Sequence, residues 1–172
     1  MMEKLIELAS NIKGVYTEID SYRLEWDSST KAIIQRTFKS VQKKIDLNLK
    51  IRNIDDIKNL ESIRLTFGFL NSGLLIEPKK GKQTPPPMVL IKKGGYLSYT
   101  QMANGKINVF IHYPYIQDIY GDPERILEIN MFNPKDIHKE LILEHIELFL
   151  EEILKWEKEE KKLIGFHIGG IR

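Results

Sequence analysis

The chain has 172 residues, 42% of them hydrophobic and 29% charged, with a formal net charge of only +2 and no cysteine. That balance excludes a disordered chain and a polycation. The missing thiols exclude disulfides, thiolate nucleophiles, cysteine-rich zinc sites and cysteine-ligated iron–sulfur clusters. Length suits one domain, 1–172, able to bury roughly 70% of the surface its unfolded chain exposes. The N-terminal residues Met1-Met2-Glu3-Lys4-Leu5-Ile6-Glu7 are broken by acids, and no run approaches the ~20 apolar residues of a membrane span. The chain therefore reads as cytoplasmic, with no membrane span.

In chain order, residues 2–13 read as a helix, because Leu5, Ile6, Leu8, Ala9 and Ile12 recur at helical spacing, and Gly14 is the expected stop. Residues 15–27 fit a helical stripe (Val15, Ile19, Tyr22, Trp26) better than a strand. Ser28-Ser29-Thr30 offers N-cap hydroxyls for a helix running to about Leu49, with Ile34, Phe38, Val41 and Ile45 on one face. Asn53 to Asp56 suggests one more helical turn through Leu60. From Ser62 the period becomes two: Ile63, Leu65, Phe67 and Phe69 alternate with Arg64, Thr66 and Gly68. A turn at Asn71-Ser72-Gly73, a short partner over 74–77, a proline-ended loop over 78–87 and a strand over 88–92 follow.

Asn104-Gly105 is the strongest local signal. As a two-residue type I′ loop it joins strands 96–103 and 106–113. That register pairs Thr100 with Val109 and Ser98 with Ile111 on a core face. It sets Leu97–His112, Tyr99–Phe110 and Gln101–Asn108 on the opposite face. Gly121-Asp122-Pro123 predicts a turn, residues 126–132 a last strand, and Asn133-Pro134 the start of a helix reaching about Lys162. The apolar residues of that helix cover more than one stripe, so burial on two sides is expected. Residues 165–172 form a glycine-rich tail suited to adding a strand or docking. The expected fold is α+β: N-terminal helices in a helical part (1–61), then a central antiparallel sheet of about four to six strands with a long C-terminal helix packed on it (62–172).

The chemistry is sparse. His112, His138, His145 and His167 make no H-x-x-x-H or H-E-x-x-H pattern, so no metal site is expected. Gly81-Lys82 fails as a P-loop, since Ile76 stands where the first glycine belongs and Gln83 follows the lysine. No G-x-S-x-G elbow occurs. Asp118, Asp122, Glu124 and Glu128 read as a solvated acidic loop. No cofactor is expected. Residues 31–52 hold Lys31, Arg36, Lys39, Lys43, Lys44, Lys50 and Arg52 against Asp46 alone, so positive charge is concentrated there.

The leading expectation is a non-catalytic binding or protein-interaction module, self-associating or part of a larger assembly. Its ligand or partner face is Tyr99, Gln101, Asn108, Phe110 and His112, and its interface candidates are Leu143, Leu150, Leu154 and Trp156. The alternative is a binder of an anionic ligand, nucleic acid or nucleotide, using Lys39, Lys43, Lys79, Lys80, Lys82, Lys92 and Lys93 with the aromatic sheet face. An enzyme without a recognisable motif is the third class, and the reading leans away from it.

Overall fold

The computed structural model describes residues 1–77, 86–116, 119 and 121–159. It is α+β, with a helical N-terminus, two antiparallel sheets and a C-terminal helix. Helix α1 (Met2–Glu25) passes through a π-helical turn (Trp26–Thr30) into α2 (Lys31–Lys44) without a break. Gly14 does not end α1; it sits on an open helix surface with nothing near its missing side chain. Nor do the hydroxyls of residues 28–30 cap a new helix. Ser28 and Ser29 donate back to the Glu25 carbonyl inside the continuing helix, and Thr30 donates to the Pro134 carbonyl at 3.1 Å. With those oxygens engaged elsewhere, no start signal remains.

Helix α2 stops at Lys44, five residues before the expected end, because Ile45 turns to extended backbone. Leu49 is buried, and strand β1 (Lys50–Ile54) replaces the expected helical turn. The part read as helical thus contributes a strand. β1 forms one edge of a five-stranded sheet ordered β1-β2-β5-β6-β8, with β2 (Ser62–Thr66), β5 (Tyr96–Gln101), β6 (Ile107–His112) and β8 (Ile126–Phe132). β3 (Phe69–Ile76), β4 (Met88–Lys93) and β7 (Tyr115–Ile116) form a second sheet. The expected turn at Asn71-Ser72-Gly73 is a bulge within β3: Asn71 accepts from the Gly73 amide, and Ser72 donates to the Leu90 carbonyl across the strands.

The two sheets are joined by hydrogen bonds. Phe67 N–H donates to the Gly95 carbonyl at 3.2 Å, and Gly94 N–H to the Gly68 carbonyl at 2.7 Å. The β2–β5 ladder therefore continues into β3–β4 through a glycine-rich joint. A side chain at Gly94 would meet Phe67 Cβ at 2.6 Å, so the close approach of the two crossing segments requires glycine there.

The core lies on one face of the large sheet. Ile63, Leu65, Leu97, Tyr99, Ile107, Val109 and Ile111 pack there against Ile34, Phe38 and Val41 of α2. Beside them on the same face pack Ile142, Ile146, Phe149 and Ile153 of α3 (Lys139–Lys158). Asn133-Pro134 opens only a 3-10 turn (Pro134–Asp136). The helix proper begins later, capped by His138, whose ring accepts from the Leu141 amide. Among the described residues no helix is long and apolar enough to cross a membrane.

The hairpin forms at the expected place but in another register. Met102 N–H donates to the Lys106 carbonyl and Gly105 N–H to the Met102 carbonyl, both at 2.8 Å. Gly105 alone in the loop has positive φ, +77°. The loop is therefore three residues long, a type of turn that closes on a left-handed glycine, and not the two-residue I′ form, which needs positive φ at Asn104 as well. The pairing becomes Tyr99↔Val109, Ser98↔Phe110 and Gln101↔Ile107. A one-residue slip moves every side chain of β5 to the other face. Tyr99 and Gln101 thus point into the core, while Tyr96, Ser98 and Thr100 join Asn108, Phe110 and His112 outside.

Candidate functional site

The face of the large sheet away from α2 and α3 carries two rows of side chains at right angles to the strands. One row is Arg52, Arg64, Ser98 and Phe110; the next is Lys50, Thr66, Tyr96 and His112. Arg52 and Arg64 are direct cross-strand partners. Like charges so placed oppose folding, and something must offset them. Here rings do so in part. Arg64 lies over Tyr96 at 4.6 Å, Arg52 over Phe69 at 5.9 Å, and Lys93 over Tyr115 at 5.1 Å. Tyr96 is also stacked on His112, with centroids 4.7 Å apart and planes 9° from parallel.

These residues line a cleft of about 230 Å³ where the second sheet bends over the open face of the first. Its lining combines Arg52, Arg64, Lys93 and His112 with Phe69, Tyr96 and Tyr115, and among the described residues it includes no acidic one. Among the described residues, no carboxylate lies within 4.0 Å of Arg52, Arg64 or Lys93. The Arg64 Nε is buried and without a hydrogen-bond partner. The His112 ring faces two carbonyl oxygens, Tyr113 O at Nδ1 and Pro123 O at Nε2, each at 2.8 Å.

The expected site residues are partly assembled here and partly dispersed. His112 lines the cleft, with Phe110 edge-on to Tyr96 at 6.1 Å; Asn108 sits farther along the same face. Tyr99 and Gln101 do not belong to it, for the register reason given above. Tyr99 is fully buried. Its hydroxyl lies 2.7 Å from His145 Nδ1, and its ring is edge-on to Phe38. Burial pushes the Tyr99 hydroxyl far above its usual range and holds the His145 imidazole below its own, although Glu144 opposes the latter. The neutral imidazole then accepts a hydrogen bond from the phenol O–H.

Of the described lysines, only Lys93 lines the cleft. Lys92 points the other way in the alternating strand, onto Glu157 at 2.7 Å and over the Trp156 ring. Lys39 and Lys43 are exposed on α2, across the sheet. Lys79, Lys80 and Lys82 lie outside the described residues, as does the 165–172 tail. The decisive cations, Arg52 and Arg64, were missed as a pair. Arg64 alternates with Ile63 and Leu65, so its outward direction was readable, but its partner sat in a segment taken for helix.

Trp156, one of the interface candidates, is buried within the chain itself. Leu143 and Leu154 are exposed, and Leu150 is half-buried between two apolar grooves of about 390 and 410 Å³. α3 therefore buries one face and leaves this shoulder bare. Among the described residues, no three His, Asp or Glu side chains gather closely enough to hold a metal ion. Compared with protein-family models, curated proteins and solved structures, the chain has no match.

Proposed function

We propose that this chain is a binding module whose ligand is anionic and carries a flat ring, a nucleotide unit free or within a single strand. The observation that carries the reading is the direct opposition of Arg52 and Arg64 in a cleft lined by aromatic rings and, among the described residues, by no acid. A phosphate between two guanidiniums relieves their repulsion and takes charge-assisted, bidentate bonds. The exposed Phe69 ring then offers stacking to a base, worth about 1–3 kcal/mol. A space of about 230 Å³ suits a ring with its phosphate and is too narrow for a duplex.

Fluorescence anisotropy with a short labelled single strand, and competition by mononucleotides, test this. Arg64→Met is expected to weaken binding about tenfold and to flatten the salt dependence by roughly one phosphate contact. Arg52→Thr should weaken binding without lowering the melting temperature, since it also removes a like-charge pair. Absence of binding to either probe in about 20 mM salt, where phosphate contacts are strongest, would sink the proposal.

A second reading, a protein-interaction surface, is favoured by the bare Leu143, Leu150 and Leu154 shoulder of α3 between its two grooves. Leu154→Asp should then abolish a protein contact while leaving the unfolding midpoint unchanged. A change in stability with no change in any association would count against it.

A further inference from the structure

The two apolar stretches on either side of Gly14 belong to one seam. Because α1 continues through Gly14, the residues Leu5, Leu8, Ile12, Val15, Ile19 and Tyr22 follow one another at alternating steps of three and four. That is the heptad spacing of a coiled coil. The far end of the seam is occupied by this chain's own body. A side chain on Gly105 would meet Tyr22 Cβ at 2.8 Å and the Ile19 carbonyl at 3.0 Å, so the hairpin turn sits directly on the helix there. The near end is bare. Leu5, Leu8, Ile12 and Val15 each keep about half of their surface exposed, at 55%, 49%, 52% and 51%.

We propose that this bare seam pairs with the same segment of a second copy of the chain, antiparallel, about a twofold axis level with Ser10. Leu8 then meets the partner's Ile12, and Leu5 the partner's Val15. The direction follows from the fold. A parallel partner would have to place its own helix along the seam beyond Val15, where the hairpin turn already lies. An antiparallel partner needs only residues 5–15 of each helix, which is the bare stretch itself.

Charge selects the same register. Flanking the seam, Lys4 falls beside the partner's Glu18, once at each end, whereas a parallel pairing sets Lys4 against the partner's Ala9. In the antiparallel register Ala9 meets its own copy, which lets the helices approach closely. Glu3, Glu7 and Glu18 outnumber Lys4 and Lys13, so the helix lacks the basic face of one that lies on an anionic lipid surface.

Sedimentation of the full chain across a concentration series tests the proposal, with circular dichroism to confirm folding. The wild type should pass from monomer to dimer. Leu8→Glu should raise the dissociation constant about a hundredfold or more, because two leucines leave each dimer core. Lys4→Glu and Glu18→Lys should each weaken the dimer, and the double exchange should restore it. A chain still monomeric at about 0.5 mM, a dimer indifferent to Leu8→Glu, or no recovery in the double exchange would overturn the proposal. So would Leu8-dependent cosedimentation with phosphatidylserine vesicles in place of dimerisation.

Discussion

Single residues decide how the sheet centre holds together. Tyr99 and His145 are the polar pair linking β5 to α3, and their bond is made with a neutral imidazole. Burial lowers the His145 pKa in the folded state, so the unfolded chain binds the proton more readily. Stability from this group is therefore complete above the unfolded value near 6.5 and is lost as pH falls below it. Urea midpoints at neutral and mildly acid pH should show that loss in the wild type and a flatter response in His145→Gln. Tyr99→Phe should cost about 1–2 kcal/mol at neutral pH, because it leaves a buried acceptor unpaired. Little of this was legible in the sequence. Leu97, Tyr99 and Gln101 alternate with Ser98 and Thr100, and the set was assignable to either face; only the register distinguishes them. Gln101 shows the limit most sharply: an amide with both polar atoms buried and unpartnered is not what a solvent-side reading of that strand foresees.

Elements were legible where their signals were periodic and misread where a short motif served two geometries. The strand alternation of residues 63–67, the 126–132 strand and the stripe of α2 all follow from burial on one face. Asn104-Gly105 marked the hairpin correctly, yet the same dipeptide fits a two-residue and a three-residue loop. The loop that forms is packed against another element: Gly105 rests on Tyr22 and Ile19 of α1. Gly105→Ala should thus cost more than the roughly 1 kcal/mol of a left-handed alanine alone, since a methyl group also collides with α1. Differential scanning calorimetry should record a loss of about 2 kcal/mol or more, and hydrogen exchange should quicken in residues 19–26. Equal protection of that segment in both proteins would show that the hairpin does not brace the helix. Helix ends were misplaced for a related reason, since Ser28, Ser29 and Thr30 have cap chemistry but spend it on Glu25 and Pro134.

At the scale of the whole molecule, the cleft exists because two sheets share one bent ladder. No single segment of sequence announces it: Arg52, Arg64, Lys93, Tyr96, His112 and Tyr115 come from six different strands. Composition indicated a near-neutral protein, and that neutrality conceals a cationic interior angle. The same architecture has a consequence for behaviour at high concentration. A sheet edge offers unpaired amides and carbonyls to any neighbour, and the large sheet defends both of its edges. β1 displays Lys50 and Arg52, while β8 carries Glu128 and a bulge opposite Val109 and Phe110. The smaller sheet is less protected. Among the described residues no strand covers the outer side of β3, where Phe69, Leu74, Leu75 and Ile76 are exposed. This arm is where strand-to-strand aggregation should begin on heating or storage. Leu75→Lys should slow the growth of light scattering while the unfolding midpoint stays within about 0.5 kcal/mol of the wild type. The bend that shapes a binding cleft thus also carries the molecule's least guarded strand out from the shelter of its core.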